Sequence, residues 1–461
     1  MKHRVFKKPA GQQKSRNGGR KSPTNNAQLS TKKEVVISDY SHDGRGISRT
    51  EGKTLFVEGA LPGERVLAQV YSEHGRYSEA RTLDVLEPSA ARGKPVCGHY
   101  SACGGCNLQH VASAEQLALK ETAVLDQFQR WSGLTPRRIL PALISPQSGY
   151  RQRARMAVWY RDDGSIELGF RRAQSKSLVD VNACSVLDSR LNALLAPLRK
   201  WLLHVHGSRA VTHIELIATD SEIGVVVRHI KRLHAAALAD LVRLASDDNV
   251  RIWLKPNSDA QLFNLDGEPC NPRMSYRLPE QSLQLQFHPC DFTQVNAGVN
   301  RDMINQALAL LQLQKDERVL DLFCGVGNFT LPMARSALEI IGVEGAESMV
   351  QRGRENAELN GIDNCSYHSA NLEADVSKLV WAKKPVDAIL LDPPRAGAKG
   401  AMNWLQQLSA SRVVYVSCNP ATLARDAKLL ASMGYQLEAL GVMDMFPQTA
   451  HIESMALFTK R

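Results

Sequence analysis

From about residue 289 to the end, short apolar runs alternate with longer stretches of helical periodicity. The runs RVLDLFC, EIIGVEG, DAILLDPP and RVVYVSCN read as buried strands because they are brief, apolar and rich in β-branched residues. Strands that alternate with helices build a parallel sheet, since parallel neighbours need a crossover, and the crossovers cover both faces. Residues 289–461 are therefore expected to form a Rossmann-like α/β domain.

The preceding chain has other patterns. Residues 34–88 carry alternating runs such as TLFVEGA and ERVLAQV, split by turns at Asp43-Gly44, Glu51-Gly52 and Leu61-Pro62-Gly63, which predicts a small OB-like β-barrel. The segments DGRGISR, FVEGALPGE and VLEPS resemble the TRAM domain found on RNA-modifying enzymes. Residues 89–288 mix helical and strand patterns and are expected to be a central α+β domain. Within it a helix is predicted to open at Ser113, with Gln116 three residues on as a capping box and Leu117, Val124, Phe128 and Trp131 on one face.

The net charge of +10 is confined to one end. Of 57 basic residues, ten lie in residues 1–33 with no acid among them, leaving 47 against 47 acids elsewhere. Few apolar residues accompany those charges, so residues 1–33 are expected to be a disordered basic tail. No apolar run is long enough for a membrane span and the start is polar, so a cytoplasmic protein with no membrane association is expected. Arg151, Arg153 and Arg155 alternate along a predicted strand, which fits either a solvated sheet face or a surface that tracks phosphates.

Chemistry-bearing residues cluster at predicted strand ends. In Asp321-Leu-Phe-Cys-Gly325-Val-Gly327-Asn328 the glycines permit a tight turn and close approach of a ligand to the backbone. Glu344 ends the next strand, where a carboxylate can bind ribose hydroxyls. Thr330 replaces the third glycine of the dinucleotide fingerprint, so a ligand without a pyrophosphate is indicated. Asp392 follows another apolar strand in LDPPR, and Cys418 lies in VSCNP, where a proline sets the turn. Cys324 sits inside the glycine loop, and Cys270, Cys290 and Cys365 have no motif context. Glu453 in HIESM is the leading candidate for a base, with His451 second.

The segments FTQVN, DLFCGVGNF, GVEG, LDPPRAG, VSCNPATLARD and HIESM resemble, in order and spacing, the RNA uracil-5-methyltransferase family. That resemblance implies S-adenosylmethionine bound among Gln294, Phe323, Asn328, Glu344, Asn371 and Asp392. It also implies Cys418 as nucleophile and Glu453 as proton acceptor. The chemistry is consistent with those residue types: uracil C5 becomes nucleophilic only after addition at C6, for which a thiolate is suited, and a base must later remove the C5 proton.

Cys97, Cys103, Cys106 and Cys184 could bind zinc or a [4Fe-4S] cluster, and spacing does not decide between them. The resemblance implies the iron-sulfur cluster, in a structural or RNA-orienting role. Together the barrel and cysteine set resemble the branch of the family directed at 23S ribosomal RNA, which implies that RNA as partner; a monomer is expected. The other readings are a uridine elsewhere in 23S rRNA or tRNA, an adenine amino-group methyltransferase, and a noncatalytic RNA-binding iron-sulfur protein.

Overall fold

The structure is a computed structural model, and it describes residues 31–50, 52–257 and 261–460. Most of the expected basic tail lies outside the described residues. Its last two lysines, Lys32 and Lys33, open the first strand of the barrel, Lys32–Val36.

Six strands form the N-terminal sheet: Lys32–Val36, Asp39–Tyr40, Arg45–Thr50, Lys53–Glu58, Arg65–Glu73 and Tyr77–Glu87. Their spatial order is first, fifth, sixth, fourth, third, second. Backbone bonds from Ile37 to Glu64 and from Ser38 to Ile47 tie the end of the first strand to both sides, which curls the sheet toward closure. Alternate residues Leu55, Val57, Val66, Ala68 and Val70 fill the interior, as the period of two requires.

The middle sheet has eight strands centred on Arg153–Tyr160, Val211–Ala218 and Ile223–His229. Its one parallel pair, Ile223–His229 with Arg251–Pro256, is joined through the helix Ala235–Asp247. That helix and Leu195–His204 supply Leu241, Leu244, Leu198 and Leu202 to the core against the sheet.

The C-terminal sheet runs Cys365–Ser369, Glu339–Glu344, Arg318–Leu322, Ala388–Leu391, Arg412–Ser417, Glu453–Thr459, Gln436–Met443 and Arg138–Ile139. The first five are mutually parallel, and Glu453–Thr459 inserts antiparallel beside Arg412–Ser417. The order reverses at Arg318–Leu322, whose neighbours lie on opposite sides; ligands of open α/β sheets bind at the carboxyl edge beside such a switch point.

Two pieces of the expected central domain belong physically to this last body. The helix Ser113–Trp131 buries Val124 and Phe128 in the C-terminal core, and Arg138–Ile139 extends the C-terminal sheet. The hairpin Met274–Leu278 and Leu283–Phe287 likewise places Leu285 and Phe287 there, with Asn356 and Asn360 bonding its backbone. Apolar stripes follow the surface that can cover them, not the order of the chain. The helix does begin at Ser113, yet Ala112 is its N-cap and makes no side-chain bond. Gln116 is buried instead and bonds elsewhere.

Candidate active site

The strand Arg318–Leu322 ends in a turn in which Phe323, Gly325 and Gly327 have φ of 65°, 57° and 98°. Glycine at 327 is required twice: by that φ, and because a Cβ there would stand 2.5 Å from the Tyr367 hydroxyl. The Phe323 and Cys324 N–H groups donate to the Val343 carbonyl, and the Gly325 N–H donates to Glu344 Oε2 at 3.2 Å. Thr330, where a third glycine would stand, donates its hydroxyl to Asp321 Oδ2 at 2.5 Å. Asp321 is fully buried and its Oδ1 has no partner among the described residues. Burial is the main reason its carboxyl is pushed up to about 8.

Phe323, Glu344 and Asp392 stand at the carboxyl ends of adjoining parallel strands, and Asn371 follows the end of Cys365–Ser369. Backbone bonds from Ala370 to Glu344 and from Asp392 to Leu322 knit these ends together. Asn328 faces a different set: its Oδ1 accepts from the Tyr276 hydroxyl at 2.9 Å and from Asn300 at 3.2 Å, while its Nδ2 donates to Asn300 at 2.9 Å. Tyr276 comes from the hairpin, so the glycine loop is braced by chain about 50 residues upstream in sequence.

Gln294 lies on a loop held from below. The Arg153 guanidinium donates to the carbonyls of Pro289 and Asp291 and to the Thr293 hydroxyl. Arg352 pairs with the buried Asp291 at 2.5 Å, and the Asn296 side chain caps the following helix, Ala297–Leu311. Arg153 thus belongs to neither alternative raised by the alternating arginines, because its guanidinium N–H groups are taken up by backbone carbonyls. Arg155 is the exposed member, with a side chain 53% accessible. One arginine of an alternating run, flanked by Gln152 and Ala154, carries no sequence signal for a clamp whose target lies 136 residues on.

Cys418 directly follows Arg412–Ser417 and precedes the helix Pro420–Ser432, which Asn419 caps. Asn419 also donates to the Arg395 carbonyl at 3.1 Å, joining the cysteine turn to the one that carries Asp392. Ser417 is in register with Ser454 across the antiparallel pair, so the next step outward places Cys418 opposite Glu453. The Glu453 charge acts on the Cys418 thiol, so the two side chains share one neighbourhood. Glu453 is 8% exposed; burial first and Asp392 second push its carboxyl up to about 8, with Arg395 opposing. Burial, then Glu453 and Asp392, push the Cys418 thiol up to about 11, again against Arg395. Burial pushes Asp392 up to about 7. His451 is exposed and stands 3.5 Å from the Arg395 guanidinium. Arg395, visible in LDPPRAG but assigned no role from sequence, is the cation facing this acidic group.

Cys97, Cys103, Cys106 and Cys184 lie far from this centre in sequence, and all are half-buried free thiols. Cys97 and Cys184 line one cavity of 510 Å³, with His99 and Ser148. Cys103 and Cys106 line a groove of 1710 Å³ between the barrel and the middle sheet. Burial first, and then the neighbouring thiols, push Cys103, Cys106 and Cys184 up, Cys106 to about 11, so the sulfurs share one neighbourhood. The Gly105 N–H donates to Cys103 Sγ at 3.4 Å. Even so, among the described residues no group of three or more His, Cys, Asp or Glu side chains is arranged to hold a metal ion. Also among them, no helix is long and apolar enough to cross a membrane.

Comparison with known proteins adds three findings. The model of the tRNA (Uracil-5-)-methyltransferase family matches residues 112–461, and that of the TRAM domain matches residues 28–83. The 23S rRNA (uracil(1939)-C(5))-methyltransferase RlmD of Alkalilimnicola ehrlichii is 44% identical over 430 residues, covering 93% of this chain and 96% of the relative. The protein of the same name from Photobacterium profundum is 44% identical over 449 residues, covering 93% and 94%. Among solved structures, the Pyrococcus abyssi tRNA (uracil-54, C5)-methyltransferase in complex with S-adenosyl-L-homocysteine superposes with a TM-score of 0.71 at 22% identity, over 92% of this chain and 99% of that one. At that identity the likeness establishes the fold.

Proposed function

The chain belongs to the tRNA (uracil-5-)-methyltransferase family, and from that premise we propose that it methylates C5 of a 23S rRNA uridine, uracil 1939, with Cys418 as nucleophile and Glu453 as proton acceptor. The observation that carries this reading is the opposed placement of Cys418 and Glu453 at the carboxyl edge of the sheet, beside Asp392 and the glycine turn.

S-adenosylmethionine supplies a methyl group on a positively charged sulfur. The residues present fit it: a glycine turn open to a ligand, Glu344 for ribose hydroxyls, and Asp392 as a second carboxyl that would offset a positive charge. Gln294, Phe323, Asn328 and Asn371 complete the set, Asn328 through its brace on the glycine turn. The enzyme's own part is to add the Cys418 sulfur to C6 as the thiolate, the thiol proton passing to solvent, which moves the C5–C6 electron pair toward O4 and makes C5 nucleophilic. After C5 gains the methyl group, the Glu453 carboxylate takes the C5 proton, the C5–C6 double bond re-forms, and sulfur leaves C6 as the thiolate. A carboxylate near 8 is matched to that transfer around neutral pH.

Duplex or stacked RNA hides C5 and C6, so the target must be extruded into the site. The groove between barrel and middle sheet, lined by Arg45, Arg81, Arg171, Arg172 and Lys176, suits the flanking phosphates. Cys97, Cys103, Cys106 and Cys184 would hold a [4Fe-4S] cluster; four soft donors in one neighbourhood, with an N–H directed at Cys103 sulfur, favour it. Its part is to order the cysteine loop beside that groove. We also place the protein in the cytoplasm as a monomer.

The test is incubation with labelled S-adenosylmethionine and unmodified 23S rRNA, followed by nucleoside analysis. 5-Methyluridine at one position supports the reading; a methylated adenine, product in tRNA alone, or no product overturns it.

A further inference from the structure

The loop at residues 444–452 joins Gln436–Met443 to Glu453–Thr459 and so delivers His451 and Glu453 to the site. Its polar groups are gripped from outside. Lys120 Nζ donates to Asp444 Oδ1 at 2.8 Å and to the Phe446 carbonyl at 3.1 Å, the two charged side chains being 2% and 4% exposed. One turn earlier on the same helix, Gln116 accepts from the Gln448 N–H at 2.9 Å and donates to the Gln448 side chain at 3.0 Å. Tyr150 donates to the Pro447 carbonyl at 2.9 Å, and Asn107 accepts from the Ala450 N–H at 2.8 Å.

Two features separate this from ordinary packing. Residues 116, 120, 124 and 128 share one helix face. That stripe is apolar at Val124 and Phe128, where it covers the C-terminal core, and polar at Gln116 and Lys120, where it crosses the loop. A buried ion pair adds little stability over apolar groups of the same volume, whereas directional bonds select one loop geometry. The loop also contains Gln448 at φ 67°, an unfavourable conformation for a non-glycine residue that persists where its surroundings over-determine it. The grip reaches the site, because Phe446, whose carbonyl Lys120 holds, packs its ring 5.6 Å from that of His451.

We propose that Gln116 and Lys120 are positioning residues for proton abstraction, fixing the 444–452 loop so that the Glu453 carboxylate stays opposite Cys418. This rests on Glu453 being the base. Displacing a reacting group by about 1 Å costs on the order of a hundredfold in rate, so loosening the loop should slow C5 deprotonation while sparing sulfur addition and methyl transfer.

The experiment compares the full-length wild-type enzyme, Gln116→Met, the double variant Lys120→Met/Asp444→Asn, which strands neither charge, and Lys120→Arg, which keeps a donor. Each is followed by kcat, RNA KM, the fraction of enzyme in a denaturant-resistant RNA adduct, and thermal melting. The expected result is a kcat about tenfold to a hundredfold lower in the first two variants. RNA KM should be unchanged, methylated adduct should accumulate, and Lys120→Arg should recover part of the rate. Native kcat and no adduct in variants that melt cooperatively would overturn the proposal, as would a kcat loss without adduct. Glu453→Gln run in parallel separates the two readings: if it too forms no adduct, the assignment of the base fails; if it alone does, only the positioning role fails.

Discussion

Cys418 follows one strand and Glu453 opens its antiparallel neighbour, each one residue beyond the Ser417–Ser454 pair, and the Glu453 charge acts on the Cys418 thiol. Glu453 raises the proton affinity of the Cys418 thiol, Asp392 raises that of both groups, and Arg395 is the cation that opposes both. A nucleophile and a base set side by side on one edge can act in turn on the two adjoining carbons of a flat ring.

Replacing Cys418 with Ala should abolish methylation while leaving RNA binding intact, since the thiol forms the adduct and grips no phosphate. Replacing Glu453 with Gln should permit methyl transfer and halt before release. A band resistant to denaturant, containing enzyme, RNA and label, is the expected readout on a gel.

The raised carboxyl of Glu453 predicts opposite trends for activity and stability. Activity should climb with pH through about 8 as the base loses its proton. The folded group binds a proton more tightly than its ordinary value of 4.5, so between there and about 8 the native state holds more protons than the unfolded chain. Its contribution to stability is therefore present at low pH and lost as pH rises through that window. Asp392 and Asp321 act with the same sign. Glu453→Gln should gain melting temperature over the wild type progressively as pH is raised, which calorimetry across that range will check.

Arg153→Met should destabilise the protein by about 1–3 kcal/mol, because the carbonyls it holds lose a buried donor. The same change should raise the KM for S-adenosylmethionine, since Gln294 rides on the loop the guanidinium clamps. Urea denaturation and initial-rate kinetics measure the two effects separately.

Gly327→Ala is expected to cost more than about 1 kcal/mol, the added methyl meeting both an unfavourable φ and the Tyr367 hydroxyl. Binding of S-adenosylmethionine, followed by titration calorimetry, should weaken along with it.

Protein prepared without oxygen should contain iron and sulfide in equal amounts and absorb broadly in the visible range, and Cys103→Ser should lose both. Metal analysis that returned one zinc per chain would instead assign the four cysteines to a tetrahedral zinc site.

What could be read from residues alone was whatever the chain settles over short stretches. The strand and helix periods of the last third, the glycine turn at Asp321 to Asn328 and the placement of Glu344, Asp392 and Cys418 at strand ends are local patterns, and the sheet order and turn geometry agree with them. Gln116 and Arg153 show where such reading stops. One looked like a capping residue and holds the 444–452 loop; the other looked like a surface charge and holds the loop of Gln294. Which side chain meets which depends on strand register and on the surface that buries each stripe, and both are set by chain hundreds of residues away. The opposition of Cys418 and Glu453 is of that second kind: two motifs 35 residues apart in sequence become one site because Glu453–Thr459 inserts antiparallel in a single register.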